Sequence, residues 1–267
     1  MTWGTSARVA AYSYCVDTIN NSACDTSWIS TGTTASVALN GLTPGTYYWQ
    51  VRATNIVGTT YANGGTWWSF TIIPFPVAFN KTSPVNLATN QPTNPTLSWG
   101  ASAGATSYAY CITTAPTCTT WVSTGTSRSR ALTGLTPGNT YNWQVRATNS
   151  TGFTYADGSA GALWSFVVPP LPGAFGKSLP INGAIGQPTN PTLSWGVSTN
   201  VVYYQYCIDT SNNNTCNSTW INTGTTASAS LIGLLPATYY WQVRAVNGAG
   251  TVYANGSSTI WWHFRVP

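Results

Sequence analysis

Gly134-Leu-Thr-Pro-Gly-Asn-Thr-Tyr-Asn-Trp-Gln-Val-Arg-Ala-Thr-Asn149 decides the fold. Its first part, Leu135-Thr136-Pro137-Gly138, is a turn, because proline fixes φ and glycine supplies the backbone freedom a chain reversal needs. The second part alternates. Tyr141, Trp143, Val145 and Ala147 fall on one side of an extended chain, and Asn142, Gln144 and Arg146 fall on the other. That period of two marks a half-buried antiparallel strand.

The stretch returns twice, as GLTPGTYYWQVRATN (41–55) and GLLPATYYWQVRAVN (233–247). Outward from it, Leu97-Ser98-Trp99-Gly100 recurs as Leu193-Ser194-Trp195-Gly196 and, in worn form, as Met1-Thr2-Trp3-Gly4, so that Trp3, Trp99 and Trp195 stand 96 residues apart. Cys15, Cys111 and Cys207 each follow that tryptophan by 12 residues, and each copy closes on an aromatic, at Phe70, Phe166 and Phe264. A fixed period of this size means one module used three times. The modules are placed at 1–74, 75–170 and 171–267. Stacked small domains make length, display or multivalent contact more often than one active site.

Composition agrees with an all-β class. Of 267 residues only 13 are Asp, Glu, Lys or Arg, while 14 are Trp and 15 are Tyr. Such a chain is too aromatic for disorder, and no helical periodicity persists along it. The net charge of +5 is scattered, with Arg128 and Arg130 the only close basic pair, so no nucleic-acid partner is expected. No apolar run approaches the length of a membrane span. No signal peptide opens the chain, yet six cysteines, two per module, point to an oxidising compartment. The expectation is therefore a secreted or cell-surface protein with a processed or truncated start.

Each module resembles a fibronectin type III domain of the bacterial extracellular sort. The residues that carry the resemblance are PTLSWG (95–100, 191–196), the SYAYC strand after it (107–111), and GLTPGNTYNWQVRA with its two copies. The resemblance implies three tandem β-sandwiches. It also implies a tyrosine corner at Tyr47, Tyr141 and Tyr239, in which the hydroxyl bonds back to the turn backbone. The paired cysteines depart from the family pattern. Fold does not fix function here, since this sandwich hosts many roles.

The cysteines lie 9, 7 and 9 residues apart (Cys15 and Cys24, Cys111 and Cys118, Cys207 and Cys216). Such spacing suits a bridge across one hairpin, each worth roughly 2–3 kcal/mol by the loop-entropy account. With His263 as the only histidine, neither a zinc site nor a serine triad can be assembled, and no metal or other cofactor is expected. Asp17, Asp25, Asp157 and Asp209 are the only acids, placed at turns and strand ends, so no paired-carboxylate chemistry is expected and the chain reads as a non-enzyme.

Trp3, Trp99, Trp195, Trp49, Trp143, Trp241, Trp68, Trp164 and Trp262 have inward parity. Trp67 and Trp261 have the opposite parity and should share an outer face with Arg52 and Arg244, as a guanidinium–indole stack or as a candidate surface for sugar or a neighbouring subunit. Asn20, Asn80, Asn149, Asn213, Asn217 and Asn255 open Asn-x-Ser/Thr triplets and are candidate glycosylation sites on a surface short of charge. Proline-rich segments at 73–76 and 169–172 stiffen the linkers toward a semi-rigid rod.

Three periods of 96 exceed the chain by 21 residues, the length of one linker plus one edge strand, strand A, before Trp3. The first module should therefore lack strand A and expose an edge open to pairing. The leading reading is a glycosylated, non-enzymatic extracellular array that self-associates head to tail or by strand complementation into a fibre or filament. The alternative is a spacer or adhesion segment, binding carbohydrate or other surface proteins, within a larger secreted protein.

Overall fold

The structure, a computed structural model, describes residues 1–267. It is all-β, apart from three short 3-10 turns, and forms three sandwich-like sheets and sheet pairs. By compactness it divides into two units, Met1–Pro76 with Asn149–Gly152, and Val77–Thr148 with Phe153–Pro267.

The first sandwich contributes β1 (Ala11–Asp17), β2 (Ile29–Gly32), β3 (Gly45–Thr54), β4 (Thr59–Tyr61) and β5 (Trp68–Ile72). Its sheet runs β2-β1-β3-β4, with β5 also on β3. The second has β6 (Lys81–Ser83), β7 (Thr96–Trp99), β8 (Ser107–Thr113), β9 (Val122–Gly125), β10 (Ser129–Ala131), β11 (Thr140–Asn149), β12 (Gly152–Tyr155) and β13 (Trp164–Val167). There a sheet ordered β12-β11-β8-β9, with β13 on β11, faces a second sheet, β10-β7-β6. The third repeats this with β14 (Lys177–Leu179), β15 (Thr192–Trp195), β16 (Tyr203–Asp209), β17 (Ile221–Gly224), β18 (Ser228–Ser230), β19 (Ala237–Asn247), β20 (Gly250–Tyr253) and β21 (Trp262–Val266).

The alternation in the deciding stretch does its work in β11. Trp143, Val145 and Ala147 are fully buried against Leu97, Trp99 and Phe166, and Trp241, Val243 and Ala245 repeat the pattern in β19. The turn before the strand is fixed by its tyrosine. The Tyr47 hydroxyl donates to Thr43 O at 2.9 Å, Tyr239 to Leu235 O at 3.0 Å, and Tyr141 accepts from Thr136 N at 2.9 Å.

Gln144 departs from its parity: it faces away from the core yet is wholly buried, as are Gln50 and Gln242. The cause is a break in the last strand. Between β12 and β13 the chain makes a 3-10 turn at Ala156–Gly158, with Asp157 at φ 54° and Gly158 at φ 89°. The excursion folds back over β11. Gln144 Nε2 then donates to Ser159 O at 2.8 Å and Ala162 O at 3.0 Å, so the buried amide nitrogen is paired.

In the second and third sandwiches a further segment closes the edge. Leu87 N donates to Ser165 O, Val167 N to Ala88 O and Gln91 N to Val167 O, at 2.7, 2.8 and 2.9 Å, so residues 87–91 run parallel to β13. Residues 183–187 do the same beside β21. The first sandwich has no such cover. Its Trp68, inward by parity, is 55% exposed. Beside it lies an open groove of 690 Å³, lined by Met1, Leu39, Leu42, Trp49, Trp68 and Phe70.

Within the second unit the two sandwiches dock through one loop. Asn247 Nδ2 donates to Pro170 O at 2.7 Å, tying down the linker, while Gly248 N donates to Asn90 Oδ1 at 2.6 Å. Ala249 packs on the core of the second sandwich.

Candidate functional site

The outer face of each five-stranded sheet carries a disulfide and a cation. Cys15 is bonded to Cys24, Cys111 to Cys118 and Cys207 to Cys216, with Cα separations of 6.0, 5.9 and 5.9 Å. The first cysteine of each pair is buried on its strand, and the second lies in the following loop. The loop leads to a tryptophan that the strand periodicity misses. The guanidinium of Arg52 sits 4.3 Å over Trp28, Arg146 4.7 Å over Trp121 and Arg244 4.1 Å over Trp220. Tyr61, Tyr155 and Tyr253 pack against the same indoles at 5.7, 5.8 and 6.1 Å.

This corrects the expected pairing of the arginines with Trp67 and Trp261. Trp67 shares a shallow pocket with Trp28, Tyr61 and Cys24 but does not take the guanidinium. Trp261 lies 6.5 Å from Trp220, and its Nε1 donates to Ser258 O. The reason is directional: both residues precede the strand to which parity assigned them, where the chain is still returning from the 3-10 excursion. The usable signal was the tryptophan following the second cysteine by four, three and four residues. Unlike Trp67 and Trp261, it recurs in every module.

Arginine stacking differs among the modules in one atom. Gln205, opposite Arg244 on the neighbouring strand, accepts from its Nε and Nη2 at 2.9 and 2.7 Å. The opposite residues elsewhere are Ser13 and Ala109. There the buried Nε atoms of Arg52 and Arg146 have no protein acceptor.

Of the sequon asparagines, Asn20, Asn80, Asn213, Asn217 and Asn255 are exposed. Asn149 is not, and its candidacy is withdrawn: the side chain is buried and donates through Nδ2 to Pro74 O at 2.7 Å while its Oδ1 accepts from Thr151 N. A glycan on that nitrogen would have to displace the linker contact.

The carboxylates are committed to local structure. Asp17 accepts from Ile19 N and Asp25 N, Asp25 from Asn21 Nδ2, and Asp209 from Ser211 N and Asn217 N, all within the disulfide loops. Asp157 instead faces a lysine. Lys81 enters from strand β6, fully buried, with Nζ 2.6 Å from Asp157 Oδ2, 2.7 Å from Gln144 Oε1 and 2.7 Å from Ala162 O. Trp143 and Trp164 wall it at 5.7 and 5.4 Å. Burial lowers the Lys81 amine below its ordinary value, against the raising pull of Asp157.

The third module repeats the arrangement without the acid. Lys177 Nζ donates to Gln242 Oε1 at 2.7 Å and Ile260 O at 2.8 Å between Trp241 and Trp262. Asn255 stands where Asp157 does, accepting from Lys177 N through Oδ1. Burial with no carboxylate to offset it pushes Lys177 down to about 7.

No family profile matches the chain. It is 32% identical over 244 residues to Endoglucanase B of Cellulomonas fimi, covering 86% of this chain and 22% of that protein. It is 28% identical over 263 residues to receptor-type tyrosine-protein phosphatase eta of Gallus gallus, covering 97% of this chain and 17% of that one. The chain thus spans less than a quarter of the length of either relative. Among solved structures, the FN1–FN3 domains of chicken CNTN1 align over 97% of this chain and 89% of theirs, at 16% identity and a TM-score of 0.47.

Proposed function

Because the chain is a tandem array of fibronectin type III domains, we propose that it serves as a non-enzymatic structural segment, spacing and displaying other parts of a larger secreted or cell-surface protein. One observation carries the reading. All four carboxylates are engaged by backbone, amide or lysine groups of the fold, and none faces another across a groove. The three intramodular disulfides support an oxidising location. The small share of each relative that the chain spans supports a segment rather than a whole machine. Light scattering behind a sizing column tests it: a spacer stays monomeric at all concentrations, and it hydrolyses neither glucans nor phosphotyrosine.

A second reading, assembly into a fibre, has its own support. In the third module the loop Asn247–Gly250 docks on the preceding sandwich through Gly248 and Ala249. Its counterpart in the first module is Asn55-Ile56-Val57-Gly58. There Ile56 and Val57 are 103% and 89% exposed. An apolar loop tip of that kind fits the end of another module, so the chain would join copies head to tail. Concentration-dependent polymers that vanish in the double variant Ile56→Ser, Val57→Ser support this reading, and a monomer at all concentrations removes it. The five exposed sequon asparagines carry sugar on at least one site in this proposal. Intact mass of native-source material equal to the polypeptide mass would refute that part.

A further inference from the structure

We propose that Lys81 and Gln144 are the two halves of an intramolecular isopeptide bond, a site at which the second module cross-links strand β6 to strand β11 by its own chemistry with Asp157 as proton shuttle. Three observations meet in one buried cluster. The nucleophile is an amine held 2.7 Å from the carboxamide oxygen of Gln144. The electrophile is already polarised, because Gln144 Oε1 also accepts from Val145 N at 2.8 Å. A backbone N–H fixed on that oxygen stabilises the negative charge that develops there when the carbonyl carbon is attacked. The third group is the carboxylate, with Oδ2 2.6 Å from Nζ and no other hydrogen bond.

The step balances without any co-reactant. Asp157 takes a proton from the Lys81 ammonium across their 2.6 Å contact, leaving a neutral amine and a neutral carboxylic acid. The Nζ lone pair forms a bond to Gln144 Cδ. The second proton lost by Nζ and the proton held by Asp157 both end on Nε2, the Cδ–Nε2 bond breaks, and the nitrogen leaves as ammonium. The products are a secondary amide between Lys81 and Gln144 and a regenerated Asp157 carboxylate, with no change of oxidation state. Gln144 rather than Asp157 is the electrophile, since condensation on Asp157 would need a second acid, and no other carboxyl group joins this cluster. The walls are Trp143 and Trp164, which keep water from competing for the carboxamide.

The third module is the built-in control. It holds Lys177, Gln242, the polarising Val243 N at 2.9 Å and the tryptophan walls, but has Asn255 for the acid. An amide cannot shuttle the proton, so this pair stays open.

Intact-mass measurement of the full chain, disulfides retained, tests the proposal. The expected mass is lower than the disulfide-bonded polypeptide by one ammonia, with proteolysis releasing a branched peptide that joins the segment around Lys81 to the segment around Gln144. Asp157→Asn places in the second module the residue with which the third already folds, so it keeps the fold and restores the full mass. Asn255→Asp adds a second loss of ammonia, on Lys177 and Gln242. An unchanged wild-type mass with Lys81 and Gln144 in separate peptides overturns the proposal. So does a loss of one water with Lys81 joined to Asp157, which would make the acid the electrophile. A cross-link that survives Asp157→Asn removes the assigned role of the carboxylate.

Discussion

Replacing Lys177 by methionine should abolish a pH dependence of stability that the native third module carries. Methionine keeps an unbranched apolar stem between Trp241 and Trp262 and removes the ionisable head. In the folded chain, burial sets the Lys177 amine at about 7, whereas in the unfolded chain it has the ordinary 10.5. Between those values the unfolded state binds a proton that the folded state does not, so unfolding free energy rises with pH. The slope is at most about 1.4 kcal/mol per pH unit, which gives a ceiling of about 3 kcal/mol between pH 7 and 9. Below about 7 both states are protonated and the slope vanishes, while the buried charge remains as a standing cost. Hydrogen exchange of the full chain, read on peptides from β19 and β21 and corrected for intrinsic rates, measures the slope where the lysine sits. Native peptides should gain protection steadily from pH 7 to 9, and Lys177→Met should flatten the profile. Equal slopes in the two proteins, or a flat native profile, would refute the assignment of Lys177 as a lysine that is neutral when folded.

Ala109→Gln places the Gln205 carboxamide opposite Arg146, whose buried Nε has no protein acceptor; the unfolding free energy from denaturant titration should rise by about 0.5–1.5 kcal/mol, and a fall would mean that the strand cannot hold the longer side chain. Gly248→Ala puts a Cβ against the Asn90 carbonyl, so solution scattering should show the second and third sandwiches hinging apart with each core intact; an unchanged profile would mean that the loop is not their contact. Removing the Cys207–Cys216 bridge by double serine substitution should cost the third module roughly 2–3 kcal/mol, seen as lost protection in β16 peptides with β8 peptides unaffected.

What the sequence revealed and what it hid divide along contact range. The period of two in Tyr141–Ala147 and the turn before it are set by neighbours, so the strands and the sandwich core could be read directly, while the tyrosine corners followed from the family resemblance. Gln144 could not. Its parity points outward, and it is buried only because Lys81, 63 residues earlier, and the carbonyls of the 3-10 excursion close over it. The arginine partners were misread for a related reason. Trp67 and Trp261 were assigned by extending a strand backwards through a segment that is not strand, whereas Trp28, Trp121 and Trp220 lie in loops held by the disulfides. Asn149 looked like any other sequon until its amide was found holding a linker carbonyl.

The parallel pairing of residues 87–91 with β13, and of 183–187 with β21, has a mechanical meaning. These segments lie near the two ends of each module, where the chain enters and leaves. A pull along the polypeptide therefore drags them past one another, and the three transverse hydrogen bonds between them bear the load together instead of parting in sequence. Such a clamp resists shear, and because forced opening is governed by the unfolding rate, it raises the endurance of the second and third modules under tension without altering their equilibrium cores.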